Sequence, residues 1–343
     1  MKKSPTYSLV FLLLTVLLVF FSILNLSLGS VNIPFKAIVK IFLGDENIKQ
    51  SWQYIIMDYR LPKVATAILV GSGLAISGLL MQTVFRNPLA GPFVLGISSG
   101  ASLGVALLVL GVSSFAGTGL AMTVSNLSMV IAASLGAFLV LTTVMLVSKR
   151  VRNTMSILII GLMFGSFTAA IISVMAYFSD AQSLRQYVFW TFGSIGNLSW
   201  NNLLLLSSFY LICIVLITSI LKPLNSLLLG ENYAIGLGVN IKNTRNMVFI
   251  VTGLLTGVIT AFSGPIAFIG LAVPHLTKLI IKTGNHKIIL PAVALVGGII
   301  MVISDTIAQL PGVAYSLPIN AVTSLFGAPI VIWLLVRKKK IYY

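Results

Sequence analysis

Acidic residues are nearly missing from this 343-residue chain: six Asp and Glu stand against 22 Lys and Arg. Charge of either sign is scarce, 8% of residues against the roughly 25% of an ordinary soluble domain. A water-facing surface for a chain of this size cannot be assembled from that inventory, which excludes soluble enzymes. Disorder is excluded as well, because 58% of the residues are hydrophobic and unfolded chains are kept so by low hydrophobicity. Cysteine is almost absent: Cys213 stands alone, so no intramolecular disulfide can form. With only His275 and His286 besides, the usual Cys/His metal sites have no ligand set, and no metal or cofactor is expected. No Walker A, H-E-x-x-H or G-x-S-x-G pattern occurs, so no catalytic residue is assigned.

What the chain has instead is long stretches without charge. They run from Ser4 to Phe35, Val64 to Phe85, Asn87 to Ser148, Asn153 to Ser179, Gln186 to Leu221, Asn246 to Thr277, Ile288 to Ser304 and Thr306 to Val336. Crossing a hydrocarbon core of ~30 Å takes ~20 helical residues. The runs are continuous rather than alternating, which favours helices over a β-barrel. The Asn87–Ser148 stretch fits two spans joined near Gly111 to Asn126. A break at Gly264-Pro265 and the basic segment Lys278–Lys287 divide the later region into two. The run from Ser8 to Leu28 is too long for a signal-peptide core and has no small-x-small cleavage site after it, so a retained first span is expected. The expectation is an all-α polytopic membrane protein: a single transmembrane domain over 1–343 with about ten transmembrane helices. Placing the N-terminus inside leaves Lys36, Lys40, Lys49, Arg60, Lys63 and Arg185 outside, with the other 16 of the 22 basic residues inside. That asymmetry obeys the positive-inside rule, puts both termini in the cytoplasm and requires an even number of spans. It also accounts for the net charge of +16 without any nucleic-acid partner.

Three hydrophilic segments stand out. An outer insert occupies about 30–60. A second outer segment, Ser179 to Trp200, carries Asp180, Arg185 and Trp190, and its aromatics suit a helix at the membrane interface. The longest inner segment, about 222–245, contains Glu231, the one acidic residue assigned to that face. Gly230 and Gly236/Gly238 would break it into two short helices, the alternative being an amphipathic connector resting on the bilayer. There is also an internal echo: GPFVLG at Gly91–Gly96 returns as GPIAFIG at Gly264–Gly270, following helices of opposite direction, as inverted repeats in transporters do. Among ionisable groups, Asp305 lies within a span, where an acid is a functional candidate or a hydrogen-bonding partner to a neighbouring helix. His275 has the same two readings. The G-x-x-x-G pairs Gly161/Gly165 and Gly253/Gly257 point to close helix packing.

From Arg60 onward the chain resembles a known family. RLPKVATAILVGSGLAISGLLMQTVFRNPLAGPFVLGISSGA (Arg60–Ala101) is similar to the signature region of FecCD-like permease subunits of iron-siderophore, haem and cobalamin ABC importers. RQYVFWTFGSIG, LLLGENYAIGLGV, GPIAFIGLAVPHLTK, GNHKIILP and LPINAVTSLFGAPIVIWLL follow in the family's order. The resemblance implies a ten-span permease at the cell membrane that pairs with a second copy or paralogue. It also implies two cytoplasmic ATPase subunits and an extracytoplasmic binding protein that delivers the cargo. By the Leu-Gly-Glu match, Leu229, Gly230, Glu231, Ala234, Leu237 and Gly238 would couple to the ATPase. Arg60 and Lys63 match basic positions that dock acidic residues of the binding protein; snorkelling at a span end is the plain alternative. Thr154 and Met155 align with an inner gate. The chain departs from the family at Lys63, where Arg is usual, at Gln309, where another Arg is usual, and at Ser316 and Asn320, where Glu-Leu-Pro-x-Gly is usual. Two rivals remain at this point: a stand-alone carrier driven by an ion gradient, and a membrane-embedded enzyme built on Asp305 or His275.

Overall fold

In a computed structural model of the chain, residues 7–45, 48–111, 125–148, 150–151, 154–196, 198–310, 312–313 and 315–336 are described. Every regular element among them is helical. The first helix, α1 (Tyr7–Ser27), is followed by two short helices of the outer insert, α2 (Phe35–Phe42) and α3 (Gln50–Tyr54). A π-helical turn at Ile55–Arg60 runs on into α4 (Leu61–Phe85). The others are α5 (Ile97–Ala106, prolonged by a π turn to Gly111), α6 (Asn126–Ser148), α7 (Thr154–Phe178), α8 (Ala181–Thr191), α9 (Trp200–Leu227), α10 (Glu231–Gly236), α11 (Ile241–Ser263), α12 (Ile269–Ile280), α13 (His286–Ala308) and α14 (Ile319–Val336).

Seven of these are long and apolar enough to cross a membrane: α1, the continuous α3–α4 rod, α6, α7, α9, α11 and α13. Three shorter apolar helices, α5, α12 and α14, occupy the places of the remaining expected spans. The Gly111–Asn126 connection lies largely outside the described residues, as do the basic termini on which the expected orientation rests. "Inner" and "outer" below follow that expected orientation.

The protein is built around α4. Of its most apolar stretch 83% is buried inside the protein, against 17% for α1 and for α7, which face outward. In a bilayer, apolar side chains gain little by leaving lipid for protein, so close backbone approach has to hold helices together. Small residues on α4 allow it. Gly71 lies against the Gly297 carbonyl of α13, Gly73 against Ile259 of α11, and Gly78 against the Gly270 carbonyl of α12. Gly100 meets the Gly136 carbonyl in the same manner where α5 crosses α6. The G-x-x-x-G glycines pack closely too: Gly161 against the Val94 carbonyl and Gly253 against Leu141.

The two Gly-Pro echoes have a structural counterpart. Gly91–Leu95 leads through left-handed Gly96 (φ 73°) into α5, and Gly264–Ala267 leads through left-handed Phe268 (φ 65°) into α12. Both helices are short because irregular backbone replaces their first turns. Such backbone is tolerated at membrane depth only where its polar groups find partners. Asn320 supplies one: its Oδ1 accepts from the Ala267 N–H at 3.1 Å, while its own N–H donates to the Phe192 carbonyl at 3.1 Å. The departure from the family's Gly at this position therefore has work to do. Asn320→Gly is expected to lower stability by about 1 kcal/mol, the worth of one part-buried hydrogen bond, read as a lower unfolding midpoint in detergent. An unchanged midpoint would show that Ala267 finds another acceptor.

Two boundaries differ from the sequence reading. The inner segment expected over 222–245 is shorter, because α9 continues to Leu227 and α11 begins at Ile241. Pro223 lies inside α9, and buried Leu224 and Leu227 hold the turn that follows it onto the core. One short helix, α10, stands where two were expected. The outer insert has a small core of its own, with Ile33, Ile38 and Ile56 packed under Leu26 of α1 and Val64 of α4.

Candidate functional site

The two groups of candidate residues lie at opposite ends of α9. That helix has 28 residues, about 42 Å at 1.5 Å per residue, so it spans the whole thickness of the molecule.

At the inner end, 228–240 forms a hairpin-like projection around α10. Gly230 (φ 114°) opens it and Gly238 (φ 79°) closes it, both in the left-handed half of backbone space that side chains disfavour. Between them the chain completes one short helix. Ala234, fully buried, anchors it, and its carbonyl accepts the Val239 N–H at 3.0 Å. Asn240 then caps α11 through its side chain, which accepts the Asn243 N–H at 3.0 Å. Apolar side chains on this projection point away from the protein: Leu229 is 64% exposed, Tyr233 57%, Ile235 60% and Leu237 57%. Glu231, in the first turn, is exposed and has no ion pair among the described residues. Exposed apolar clusters of this kind occur where a surface meets another protein or a membrane.

At the outer end a cavity of about 720 Å³ opens between the loop after α1, the start of α4, α8 and the 309–319 loop. Arg60, Lys63, Asp305, Gln309, Phe192 and Tyr315 are among its walls. Arg60 is 4% exposed. Its Nη1 donates to the Leu26 carbonyl at 2.6 Å and the Ser27 carbonyl at 3.1 Å, and its Nη2 donates to the Val31 carbonyl. The guanidinium thus closes the carbonyl end of α1, where a cation is favoured. Lys63 is ion-paired to Asp305 at 3.0 Å, with side chains 12% and 3% exposed. The other Asp305 oxygen accepts from Asn25 at 2.9 Å and from Gln309 at 2.7 Å. The intramembrane acid is therefore one member of a buried network joining α1, α4 and α13. With two cations and one carboxylate among the described lining residues, the cavity is net positive. Beside it, α8 starts from Asp180, whose carboxylate accepts the Gln182 and Ser183 N–H groups at 2.9 Å each. Those bonds, the one from Ser183 foremost, hold its pKa below the ordinary carboxylate value.

The remaining candidates are dispersed. Met155 is an exposed residue in the first turn of α7; the side chain of Thr154, which opens that helix, lies outside the described residues. His275 is buried with Nε2 2.8 Å from the Pro88 carbonyl, tying α12 to the segment after α4. The sequence reading missed the Lys63–Asp305 pair, although a carboxylate inside a span calls for a partner and Lys63 sits at the matching end of its own span.

A multi-pass helical protein with a projecting apolar element at one face and a charged vestibule at the other is a transmembrane permease. The chain belongs to the FecCD transport family, whose model matches residues 16–337. It is 34% identical over 340 residues to the hemin transport system permease protein HmuU of Yersinia pestis, covering 99% of this chain and 98% of that one. It is 35% identical over 327 residues to the vitamin B12 import system permease protein BtuC of Klebsiella pneumoniae, covering 95% and 93%. Among solved structures, a metal-chelate type ABC transporter in an inward-facing conformation matches with a TM-score of 0.81 and 31% identity, over 95% of this chain and 98% of the other.

Proposed function

We propose that this permease is the membrane subunit of an ATP-driven importer at the cell membrane, taking up an iron-siderophore or a related large chelate such as haem or cobalamin. Two cytoplasmic ATPase subunits and a second permease copy or paralogue complete the complex, and an extracytoplasmic binding protein delivers the cargo. The observation that carries this reading is the 229–238 projection, whose exposed apolar side chains have no function in the fold of this chain. Leu229, Gly230, Glu231, Ala234, Leu237 and Gly238 are its coupling residues. Gly230 and Gly238 set the turns, Ala234 seats the helix, and Leu229, Leu237 and Glu231 meet the ATPase. At the outer face, the net-positive vestibule holding Arg60 and Lys63 suits acidic side chains of the binding protein. With Arg60 engaged by carbonyls and Lys63 by Asp305, those residues act through the field of the cavity as much as by direct pairing. Thr154 and Met155, at the inner start of α7, form the inner gate.

The stand-alone carrier gains no support. Asp305, the acid that ion coupling would need, is already held by Lys63, Asn25 and Gln309.

The test is purification of the tagged chain from its native membranes with ATP hydrolysis assayed on the eluate. A separate ATPase subunit is expected to co-purify and to be lost when Gly230 and Glu231 are both changed. An inactive chain recovered alone after gentle extraction would overturn the importer reading.

A further inference from the structure

His286 is a buried titratable group that neither face of the permease uses. It is the first residue of α13, 1% exposed, and both ring nitrogens are engaged. Nδ1 lies 2.8 Å from Asn225 Oδ1 and Nε2 lies 2.9 Å from Thr83 Oγ1. Asn225 is in the last turn of α9, beyond Pro223 and directly before the projection; Thr83 is in the last turn of α4.

The proton positions follow from the geometry. The backbone N–H of His286 also donates to Asn225 Oδ1 at 2.8 Å, which fixes the orientation of that amide. Its Nδ2 consequently points the other way and donates to Asn285 Oδ1 at 3.0 Å, the oxygen that caps α13 by accepting from the Lys287 N–H. Facing an acceptor, Nδ1 carries the ring proton; the Thr83 hydroxyl, 2.9 Å from both His286 Nε2 and the Leu79 carbonyl, has one proton to share between them. The result is a chain of side-chain contacts from Thr83 through His286 and Asn225 to Asn285, linking α4, α13 and α9. Arg86, just after α4, reaches within 3.9 Å of the place a side chain at Gly230 would begin, so α4 also borders the projection itself.

We propose that this chain is a clasp that hands movement of the 229–238 projection to α4 and α13, with His286 as its positioning residue. The proposal rests on the importer reading. Pro223 removes one helical hydrogen bond just before the turn carrying Asn225, so that turn, though seated on the core by Leu224 and Leu227, is tied less tightly to the rest of α9. At the other side of the clasp stand the central helix and the helix bearing Asp305. A displacement entering at the projection is thereby delivered to the two helices that line the outer vestibule, without a continuous rigid wall between the faces.

The test is hydrogen exchange on the assembled complex in nanodiscs, with and without vanadate-trapped ATP. In the unmodified complex, nucleotide is expected to change exchange in 222–240 and also in 79–86 and 283–290. In Asn225→Leu and His286→Ala the change in 222–240 persists, while that in the two distant segments falls at least about fivefold. Thr83→Val, which removes only the hydroxyl, should silence 79–86 and spare 283–290, a selectivity that general loosening would not produce. It also keeps the test available should the histidine variant fail to insert. Equal responses in all three variants, or loss of response everywhere including 222–240, would overturn the clasp. No response in 222–240 of the unmodified complex would reject the importer reading, and the clasp with it.

Discussion

Glu231→Arg is expected to reduce uptake to background while leaving the amount of folded protein in the membrane unchanged. The two halves of this expectation have separate causes. Glu231 is exposed and makes no ion pair among the described residues, so its replacement removes little from the fold beyond a favourable charge at the N-terminus of α10. A surface change of that kind stays within about 0.5 kcal/mol. The interface is another matter. A carboxylate set among Leu229, Tyr233 and Leu237 is desolvated when the projection docks, and reversing its charge there costs several kcal/mol. Arg86 stands close to Gly230, so the new cation would also meet a like charge. Uptake of haem or cobalamin into cells lacking other importers for them, beside immunodetection of the membrane-inserted chain, reads both halves. Normal uptake by the variant would remove the coupling assignment.

A second large effect is expected at the opposite face. Asp305→Ala leaves the Lys63 ammonium without its counterion and removes the acceptor used by Asn25 and Gln309. Asp305 is buried but Lys63 lines the open vestibule, so breaking the pair costs between the ~1 kcal/mol of an exposed pair and the ~3–5 kcal/mol of a fully buried one. The unfolding midpoint should fall steeply. Lys63→Met should do comparable damage, now through the stranded carboxylate. The double variant Lys63→Met with Asp305→Leu should recover the part of the loss due to the stranded charge, leaving the part due to the acceptor that Asn25 and Gln309 have lost. Additive losses in the double variant would mean that the two charges are not energetically coupled. This pair also bears on the outer face as a docking surface: a lysine held by Asp305 offers a partner protein its field more than its hydrogen bonds.

The architecture was legible in the sequence because a bilayer makes hydropathy and charge nearly sufficient. Continuous apolar runs become helices, and Gly-Pro breaks mark the points where α5 and α12 begin. Gly230 and Gly238 likewise announced a turn on each side of α10, and both adopt positive φ. What stayed hidden were contacts between residues remote in the chain. Asn25 and Asp305 are 280 residues apart, Thr83 and His286 are 203 apart, and nothing in their local patterns says that they meet. Arg60 shows the same limit. Its position at a span end predicted a cation facing outward, whereas the π turn before α4 rolls the side chain under α1. The extent of α9 was misjudged for a different reason: the charge-free stretch ends at Lys222, yet buried Leu224 and Leu227 carry the helix beyond it.

The placement of α4 at the centre has a consequence for how the protein is made. It is the second apolar helix to leave the ribosome, but its closest companions, α11, α12 and α13, come from the last third of the chain. Gln82 binds the carbonyl of Leu271, 189 residues later. At 5–20 residues per second that partner arrives about 10–40 s after Gln82 itself. Throughout this interval a helix carrying Ser72, Ser77, Gln82 and Thr83, all buried in the finished protein, must wait beside lipid or the insertion machinery. Assembly therefore proceeds from the outside inward in time: the peripheral helices can settle as they emerge, and the centre closes only once synthesis is nearly complete.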